Sequence, residues 1–152
     1  MDDRMFRTAM GKFATGVTVI ASEADGEVHG MTANAFMSVS LEPKLILISV
    51  GKNAKMNQTI EKAQKFTVNI LSEAQQEMSM IFAGQLKDRH VVFDTFEGMP
   101  VLENSLVSLA CKVYNTHEAG DHVLYVGEVI NLTLQDGEPL TFFEGKYNLV
   151  NS

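Results

Sequence analysis

The sequence lacks most of the residues and runs that mark specialised chains. It has one cysteine, Cys111, three prolines and no tryptophan among 152 residues. A single cysteine can form neither an internal disulfide nor, alone, a zinc site. No apolar run approaches the roughly 18 residues of a membrane-spanning helix, and residues 1–15 hold no continuous apolar stretch of the kind a secretory signal needs. We therefore expect a cytoplasmic protein without a metal centre.

Basic residues are also scarce. Twelve lysines and arginines against nineteen acidic residues give a formal net charge of −7. Nucleic acids and anionic membranes bind basic surfaces, so we expect neither as a partner. The composition, 45% apolar and 20% charged, is that of an ordinary globular chain. At roughly 150 residues per domain, we predict one domain over 1–152.

Three helices are predicted from apolar periodicity and capping residues. The first covers 3–14, where apolar side chains recur on one face, and Gly16 follows its C-terminal end. The second covers 54–63, with Asn53 as its N-cap. The third follows the S-x-x-Q sequence at 72–75, which is a capping box.

Predicted strands outnumber these helices. A continuous apolar run at 45–50 is typical of a strand buried on both faces, whereas 84–105 shows only turn signals and is predicted to be irregular. Because the helices do not alternate with the strands, a small antiparallel barrel or sandwich with helices at its edges is favoured over a doubly wound sheet. The predicted strands are 16–21, 27–36, 45–50, 66–71, 106–114, 122–134 and 140–143.

Familiar catalytic motifs are missing from the sequence. It contains no G-x-G-x-x-G, no P-loop, no C-x-x-C and no H-E-x-x-H. Cys111 lies on the apolar face of its predicted strand, where a free cysteine usually acts as a small hydrophobe. His117, Asp121 and His122 could imitate a metal cluster, but their H-E-A-G-D-H sequence is more typical of a turn. We predict neither a metal site nor a cysteine nucleophile.

Three polar segments each allow two interpretations. Residues 30–40 are rich in small and hydroxyl side chains, which suit either a strand–turn–strand crossover or a backbone-lined cradle for a flat ligand. Residues 49–59 place two lysines near a helix N-terminus, which suits either a phosphate site or a solvated loop. The G-D-H sequence at 120–122 suits either a hairpin turn or an imidazole at the rim of a barrel. Composition alone favours the structural alternatives.

The ordered set of short motifs resembles the short-chain flavin reductases, a split-barrel family that includes the small components of two-component flavin monooxygenases. Within it, the chain is similar above all to the reductase components of phenol and 4-hydroxyphenylacetate monooxygenases. The resemblance implies a Greek-key antiparallel split β-barrel with flanking helices, which forms a homodimer with flavin in a groove near the interface. The matching pieces are F-A-T-G-V-T-V-I (13–20), H-G-M-T-A-N-A-F-x-S-V-S-L (29–41), S-V-G-K-N-A-K (49–55), F-x-V-N-I-L (66–71), F-A-G (82–84), G-D-H (120–122), V-G-E-V (126–129), P-L (139–140) and G-K-Y (145–147).

The same resemblance implies which residues hold the cofactors. The isoalloxazine ring of the flavin would run along Met31, Thr32, Ala33, Asn34 and Ala35. Its ribityl and phosphate end would contact Ser38, Val39 and Ser40. Its pyrimidine edge or phosphates would contact Ser49, Val50, Gly51, Lys52, Lys55, Met56 and Thr59. The site would be closed by Phe82, Ala83 and Gly84. NADH would bind at Gly120, Asp121 and His122, with Tyr147 near the same groove.

The implied activity is hydride transfer from NADH to FAD or FMN, which supplies reduced flavin to a partner monooxygenase. The cofactors carry that chemistry, so His122 would position the nicotinamide and no general base is expected. NADH is expected over NADPH, because no arginine cluster near 120–122 could hold a 2′-phosphate. One alternative is a non-enzymatic flavin-binding electron carrier on the same barrel. A pyridoxamine-phosphate-oxidase-like enzyme ranks third, since no added basic cluster could hold a substrate phosphate.

Overall fold

Antiparallel strands form most of the molecule in this computed structural model, which describes residues 1–148. In chain order the strands are β1 (Thr15–Gly16), β2 (Thr18–Ala24), β3 (Glu27–Ala33), β4 (Phe36–Ser40), β5 (Leu45–Gly51), β6 (Lys65–Ile70), β7 (Asp94–Phe96), β8 (Met99–Val101), β9 (Val107–Ala119), β10 (His122–Leu134), β11 (Thr141–Phe143) and β12 (Lys146–Tyr147). The helices are α1 (Asp3–Met10), α2 (Met56–Ala63) and α3 (Gln76–Phe82). None of the described helices is long and apolar enough to cross a bilayer.

Seven strands form one sheet in the order β3-β2-β6-β9-β10-β5-β4, and every neighbouring pair is antiparallel. The two edge strands, β3 and β4, are consecutive in the chain and are separated only by Asn34 and Ala35. The edges of the sheet therefore approach each other, and the sheet curls into a Greek-key split barrel. The predicted fold class, mainly β with flanking helices, is confirmed. Smaller sheets, β1-β11-β12 and β7-β8, complete the fold.

The interior of the barrel is filled by apolar side chains from alternate strand positions. On β5 the side chains of Ile46, Ile48 and Val50 are buried, while those between them are partly exposed. The prediction that 45–50 is buried on both faces is therefore wrong, because β5 belongs to an antiparallel sheet with one face toward the core. Other fully buried side chains of this core are Ile20, Ile60, Phe66, Val68 and Cys111.

A second, smaller core lies on the other side of β2. Val19 and Ile20 are adjacent on β2 and point into different cores, so both are fully buried. Met78 and Phe82, both on α3, pack against this second core. The helix is thereby fixed over the outer face of the sheet. The fully or nearly buried members of this core are Val17, Val19, Leu71, Leu102 and Leu140.

Asn69 of β6 is the centre of a buried hydrogen-bond network. Its side-chain amide donates to the Val19 carbonyl at 3.0 Å and to the Thr67 hydroxyl at 3.2 Å. Its oxygen accepts from the Leu102 N–H at 3.1 Å and from the Ser108 hydroxyl at 2.8 Å. All the hydrogen-bonding capacity of this buried amide is used, as buried polar groups require. The F-x-V-N-I-L motif therefore serves the fold rather than a ligand.

The N-terminal helix is shorter than predicted. It ends at Met10, and Gly11 is its C-cap, whereas Gly16 already belongs to β1. The Asp2 carboxylate caps the start by accepting from the Met5 N–H at 2.8 Å. None of the helix residues is buried, although its apolar face is well formed. The helix therefore contributes no packing to the barrel core.

Two other predictions also need correction. The N-cap position of α2 is Lys55, not Asn53, so α2 begins two residues later than predicted. Residues 84–105 are not wholly irregular, because they contain the β7–β8 hairpin around Glu97 and Gly98, both at positive φ. Three-residue strands give too few alternations for a sequence pattern to reveal. The capping box formed by Ser72 and Gln75 is confirmed.

Candidate functional site

A cleft opens between β3 and the C-terminal strands β11 and β12. Its empty volume is ≈ 480 Å³, which includes space open to solvent. It brings together predicted site residues from three distant parts of the chain, namely Thr32, Ala33, Asn34, Ala83 and Tyr147. Sequence reasoning missed the other lining residues, which are Val17, Ser79, Gln85 and Phe142.

Two hydroxyl side chains fix the wall that β3 contributes to the cleft. The Thr32 hydroxyl donates to the backbone carbonyl of Ser79 at 2.7 Å, which ties β3 to α3. The Thr18 hydroxyl donates to the Ala33 carbonyl at 2.6 Å, which ties the end of β3 to β2. The hydroxyl residues of this wall are therefore engaged within the protein. A ligand here would meet backbone groups and the exposed Asn34.

Phe82 acts as a packing residue beneath the cleft. Gly30 on β3 leaves the space that the Phe82 ring occupies, since a Cβ on Gly30 would lie 2.5 Å from two ring carbons. The ring also packs against Phe93, with centroids 5.6 Å apart. Gly84 follows at a φ of +80°, which lets the chain turn away directly after Ala83. The F-A-G sequence therefore shapes the rim of the cleft.

The outer face of β5 and β10 adjoins this cleft at the β3–β4 connection. The Ser49 N–H donates to the Ala35 carbonyl at 3.4 Å. Gly51 pairs directly with His122 in the β5–β10 register. Val123 packs against the barrel core, so its neighbour His122 points outward, as alternate strand residues do. The structure therefore brings Ala35, Ser49, Gly51 and His122 close together along the outer face of β5 and β10.

His122 is held by the aspartate that precedes it. Its Nδ1 lies 2.8 Å from Oδ1 of Asp121, and its side chain is about half exposed. The hydrogen bond with His122, and then its charge, hold the pKa of the Asp121 carboxyl below its usual value. Gly120, at a φ of +61°, makes the turn that brings the two residues to the tip of the β9–β10 hairpin. The bond at Nδ1 leaves Nε2 directed away from Asp121.

Asn57, which sequence reasoning missed, clamps the loop between β5 and α2. Its side-chain amide donates to the Gly51 carbonyl at 2.7 Å and to the Ala54 carbonyl at 3.1 Å. Its oxygen accepts from the Tyr125 hydroxyl at 2.7 Å. The Lys52 N–H in turn donates to the Asp121 carbonyl at 2.9 Å. One asparagine thus holds the loop that adjoins the G-D-H turn.

The two predicted phosphate-binding lysines already have carboxylate neighbours. Lys52 Nζ lies 3.9 Å from Glu118 Oε2, and Lys55 Nζ lies 3.6 Å from Glu27 Oε1. Both pairs are exposed, so each contributes little to stability. An anionic ligand could compete for either lysine.

Some predicted site residues do not reach a surface of the chain. Val50, Met56 and Thr59 are 0%, 3% and 4% exposed, and Val50 and Met56 pack in the barrel core. Met31 also packs partly against that core. Their side chains support β5, α2 and β3 from within and do not line the cleft.

The predicted ribityl and phosphate contacts lie on the edge strand β4. A register shift between Ser38 and Ser40 places Val39 in a bulge, where it is 47% exposed. Ser38 is exposed and Ser40 is half-buried. The structure joins this segment to Ala35 along the chain, but it does not place it in the Thr32–Tyr147 cleft.

Together, the sheet order and the two cores define a small antiparallel split-barrel protein with a cleft beside β3. No group of three or more metal-ligating side chains occurs among residues 1–148. A family model, the flavin reductase like domain, matches residues 10–150. The chain belongs to this family, as its short motifs predicted.

Known proteins resemble the chain over almost its whole length. It is 45% identical over 145 residues to a Rhodococcus NADH-dependent flavin reductase, covering 93% of this chain and 82% of that protein. It is 39% identical over 143 residues to the reductase component of 4-hydroxyphenylacetate 3-monooxygenase from Thermus thermophilus, covering 93% of each. The solved structure of the flavin reductase PheA2 matches with a TM-score of 0.95 and 55% identity, over 97% of each chain.

Proposed function

We propose that this chain is an NADH-dependent flavin reductase, which transfers hydride from NADH to FAD or FMN and supplies the reduced flavin to a partner monooxygenase. The observation that carries the proposal is the meeting of Ala35, Gly51 and His122 on one outer face beside the cleft. The two relatives described above bear names that include NADH-dependent flavin reduction and a monooxygenase reductase component.

The two cofactors supply the hydride chemistry themselves when both are bound. The task of the protein is to hold the reacting rings within about 3–3.5 Å of each other and to exclude water. Flavin would lie along the β3 end and the Asn34–Ala35 connection, with Ser49 and Gly51 beside it. His122 would orient the nicotinamide from the neighbouring strand. No proton has to move for the hydride step, which fits a cleft whose hydroxyls are engaged in structural hydrogen bonds.

The charges at the hairpin tip support a preference for NADH over NADPH. The Asp121 and Glu118 side chains are 98% and 80% exposed, so both present carboxylates to an incoming nucleotide. Lys52, the cation beside them, already faces Glu118. The additional 2′-phosphate of NADPH would be repelled within a screening length of about 8–10 Å.

We also propose that the protein is a homodimer. Exposed apolar side chains on α1, β4 and β10, and just after α1 and β4, form surface of the kind that protein interfaces cover. β4 is an edge strand, so its free hydrogen-bonding groups are open to pairing as well. These exposed side chains are Met5, Phe6, Met10, Phe13, Met37, Val39, Leu41, Ile130, Leu132 and Leu134.

We also propose a single domain over 1–152. The two apolar cores share β2, which supports one folding unit, although residues 149–152 lie outside those the structure describes. A reductase that consumes NADH works where that nucleotide is regenerated, so we place the protein in the cytoplasm.

The deciding experiment is anaerobic reduction of protein-bound flavin. Purified protein is loaded with FAD or FMN and mixed with NADH, and the loss of flavin absorbance at about 450 nm is followed. We expect bleaching by NADH, slower bleaching by NADPH, and steady turnover with free FAD, FMN or riboflavin. Stable flavin binding without bleaching would instead support the electron-carrier alternative. Absence of flavin binding would overturn both.

A further inference from the structure

Ser79 connects the two walls of the cleft, although it is fully buried within α3. Its hydroxyl shares a hydrogen bond of 2.8 Å with the Tyr147 hydroxyl. Its backbone carbonyl accepts the Thr32 hydroxyl at 2.7 Å. One residue therefore holds β3 through its main chain and β12 through its side chain. Both residues that it holds, Thr32 and Tyr147, line the cleft.

Tyr147 also packs partly against the second core. Its ring packs edge-on against Phe142, with centroids 5.3 Å apart, and β12 is only two residues long. A strand of two residues has few ladder hydrogen bonds, and among the described residues the bond to Ser79 is the hydrogen bond that holds the hydroxyl end of the ring. The opposite wall is held more extensively, because β3 pairs with β2 along all seven of its residues. The width of the cleft thus depends on the Ser79–Tyr147 bond.

We propose that Ser79 is a positioning residue for the flavin: it acts through Tyr147 and sets the distance between the tyrosine ring and the β3 wall. The proposal rests on the function proposed above, because it takes the cleft to be where part of the flavin binds. Ser79 borders the cleft but has no exposed surface, so we expect its effect on binding to pass through the two residues that it holds.

The test compares flavin affinity in Ser79→Ala, in Tyr147→Phe and in the double variant. Tyr147→Phe removes the same hydrogen bond by changing its half-buried partner, so the test can still be made if Ser79→Ala folds poorly. We expect each single variant to weaken FAD or FMN binding by roughly three- to tenfold, the range of one hydrogen bond. The double variant should bind as weakly as either single variant and no worse, because both remove one shared interaction.

Ser105→Ala is the matched control. Ser105 is also buried and also uses its hydroxyl in a hydrogen bond, donated to the Leu102 carbonyl at 2.9 Å, but it does not line the cleft. Both serine variants should lower the flavin-free melting temperature, whereas only Ser79→Ala should change flavin affinity. Tyrosine in contact with isoalloxazine quenches flavin fluorescence, so the bound flavin should also brighten in Ser79→Ala and Tyr147→Phe.

The outcomes separate this inference from the proposed function. Wild-type flavin affinity and fluorescence in Tyr147→Phe, or strictly additive losses in the double variant, would overturn the positioning role while leaving flavin reduction intact. Equal losses of affinity in Ser79→Ala and Ser105→Ala would overturn it too, since they would reflect stability alone. Failure of the wild-type protein to bind flavin at all would instead overturn the proposed function.

Discussion

The Tyr125 hydroxyl donates a 2.7 Å hydrogen bond to the side-chain oxygen of Asn57, 68 residues away in the sequence. Asn57 uses its amide to hold the carbonyls of the loop after β5, and that loop contacts the G-D-H turn through Lys52 and Asp121. The Tyr125–Asn57 bond therefore influences the position of His122, because Asn57 holds the loop after β5 and Lys52 of that loop bonds to Asp121.

Substitution Asn57→Ala should loosen this loop. It removes the donor to Gly51 and Ala54 and leaves the partly buried Tyr125 hydroxyl unpaired, at a cost of about 1–3 kcal/mol. We expect a lower melting temperature and a higher KM for NADH, because the Lys52–Asp121 contact depends on the loop. Asn53→Ala, in the same loop but outside this clamp, is the control. Equal behaviour of the two variants in steady-state kinetics would contradict the clamp.

The Tyr125–Asn57 bond should weaken at high pH. Burial, and then the negative charge of Glu61, raise the pKa of the Tyr125 phenol. A raised folded-state pKa gives stability that is complete below the unfolded value of about 10 and is lost as the pH rises through the folded value. The melting temperature of wild type should therefore exceed that of Tyr125→Phe at neutral pH, and the difference should shrink above about pH 10. A difference that stays constant with pH would rule out this bond as its source.

Gly30→Ala should disturb the packing under the cleft. The new methyl group would lie 2.5 Å from the Phe82 ring, so the ring or β3 must move. Overpacking of this kind costs about 1–3 kcal/mol. Gly16→Ala is the matched control, since nothing lies within 4 Å of a Cβ there. Denaturant unfolding should show a loss only for Gly30→Ala, and Gly30→Ala combined with Phe82→Leu should recover part of it.

His122→Ala should raise the KM for NADH by roughly tenfold, the effect of losing one hydrogen bond to a charged group. Flavin affinity should change little, because the residue lies on the nicotinamide side of the proposed site. His117→Ala provides a control on the same hairpin, since His117 bonds only to Asn115 among the contacts described. Identical flavin reduction rates in wild type and His122→Ala, in stopped-flow experiments across NADH concentrations, would remove His122 from the site.

Cys111 should be unreactive in the folded protein. It is fully buried, and burial raises the pKa of its thiol to about 12. The thiolate is the reacting species, so a thiol reagent at pH 8 should label the protein only after unfolding. Rapid labelling of the native protein would show that the core opens around β9.

The sequence predicted the features that have local signals. The capping box formed by Ser72 and Gln75 depends on residues three positions apart, and the long strands depend on alternation within one segment. Ser79 and Tyr147 are 68 residues apart, and no local sequence pattern around either residue predicts the hydrogen bond between them. The apolar run at 45–50 was misleading, because run length does not distinguish a sheet face that packs inward from one that stays partly exposed.

Residues 114–122 at the end of the β9–β10 hairpin are all exposed, whereas the middle of β10 is packed so tightly that a Cβ on Gly127 would lie 2.7 Å from Phe66. Substitutions at exposed positions usually change stability by no more than about 0.5 kcal/mol. The part of the molecule proposed to choose between pyridine nucleotides can therefore vary at little cost in stability, whereas the barrel around Gly127 cannot. Descendants of one scaffold can acquire different electron donors without passing through unstable intermediates.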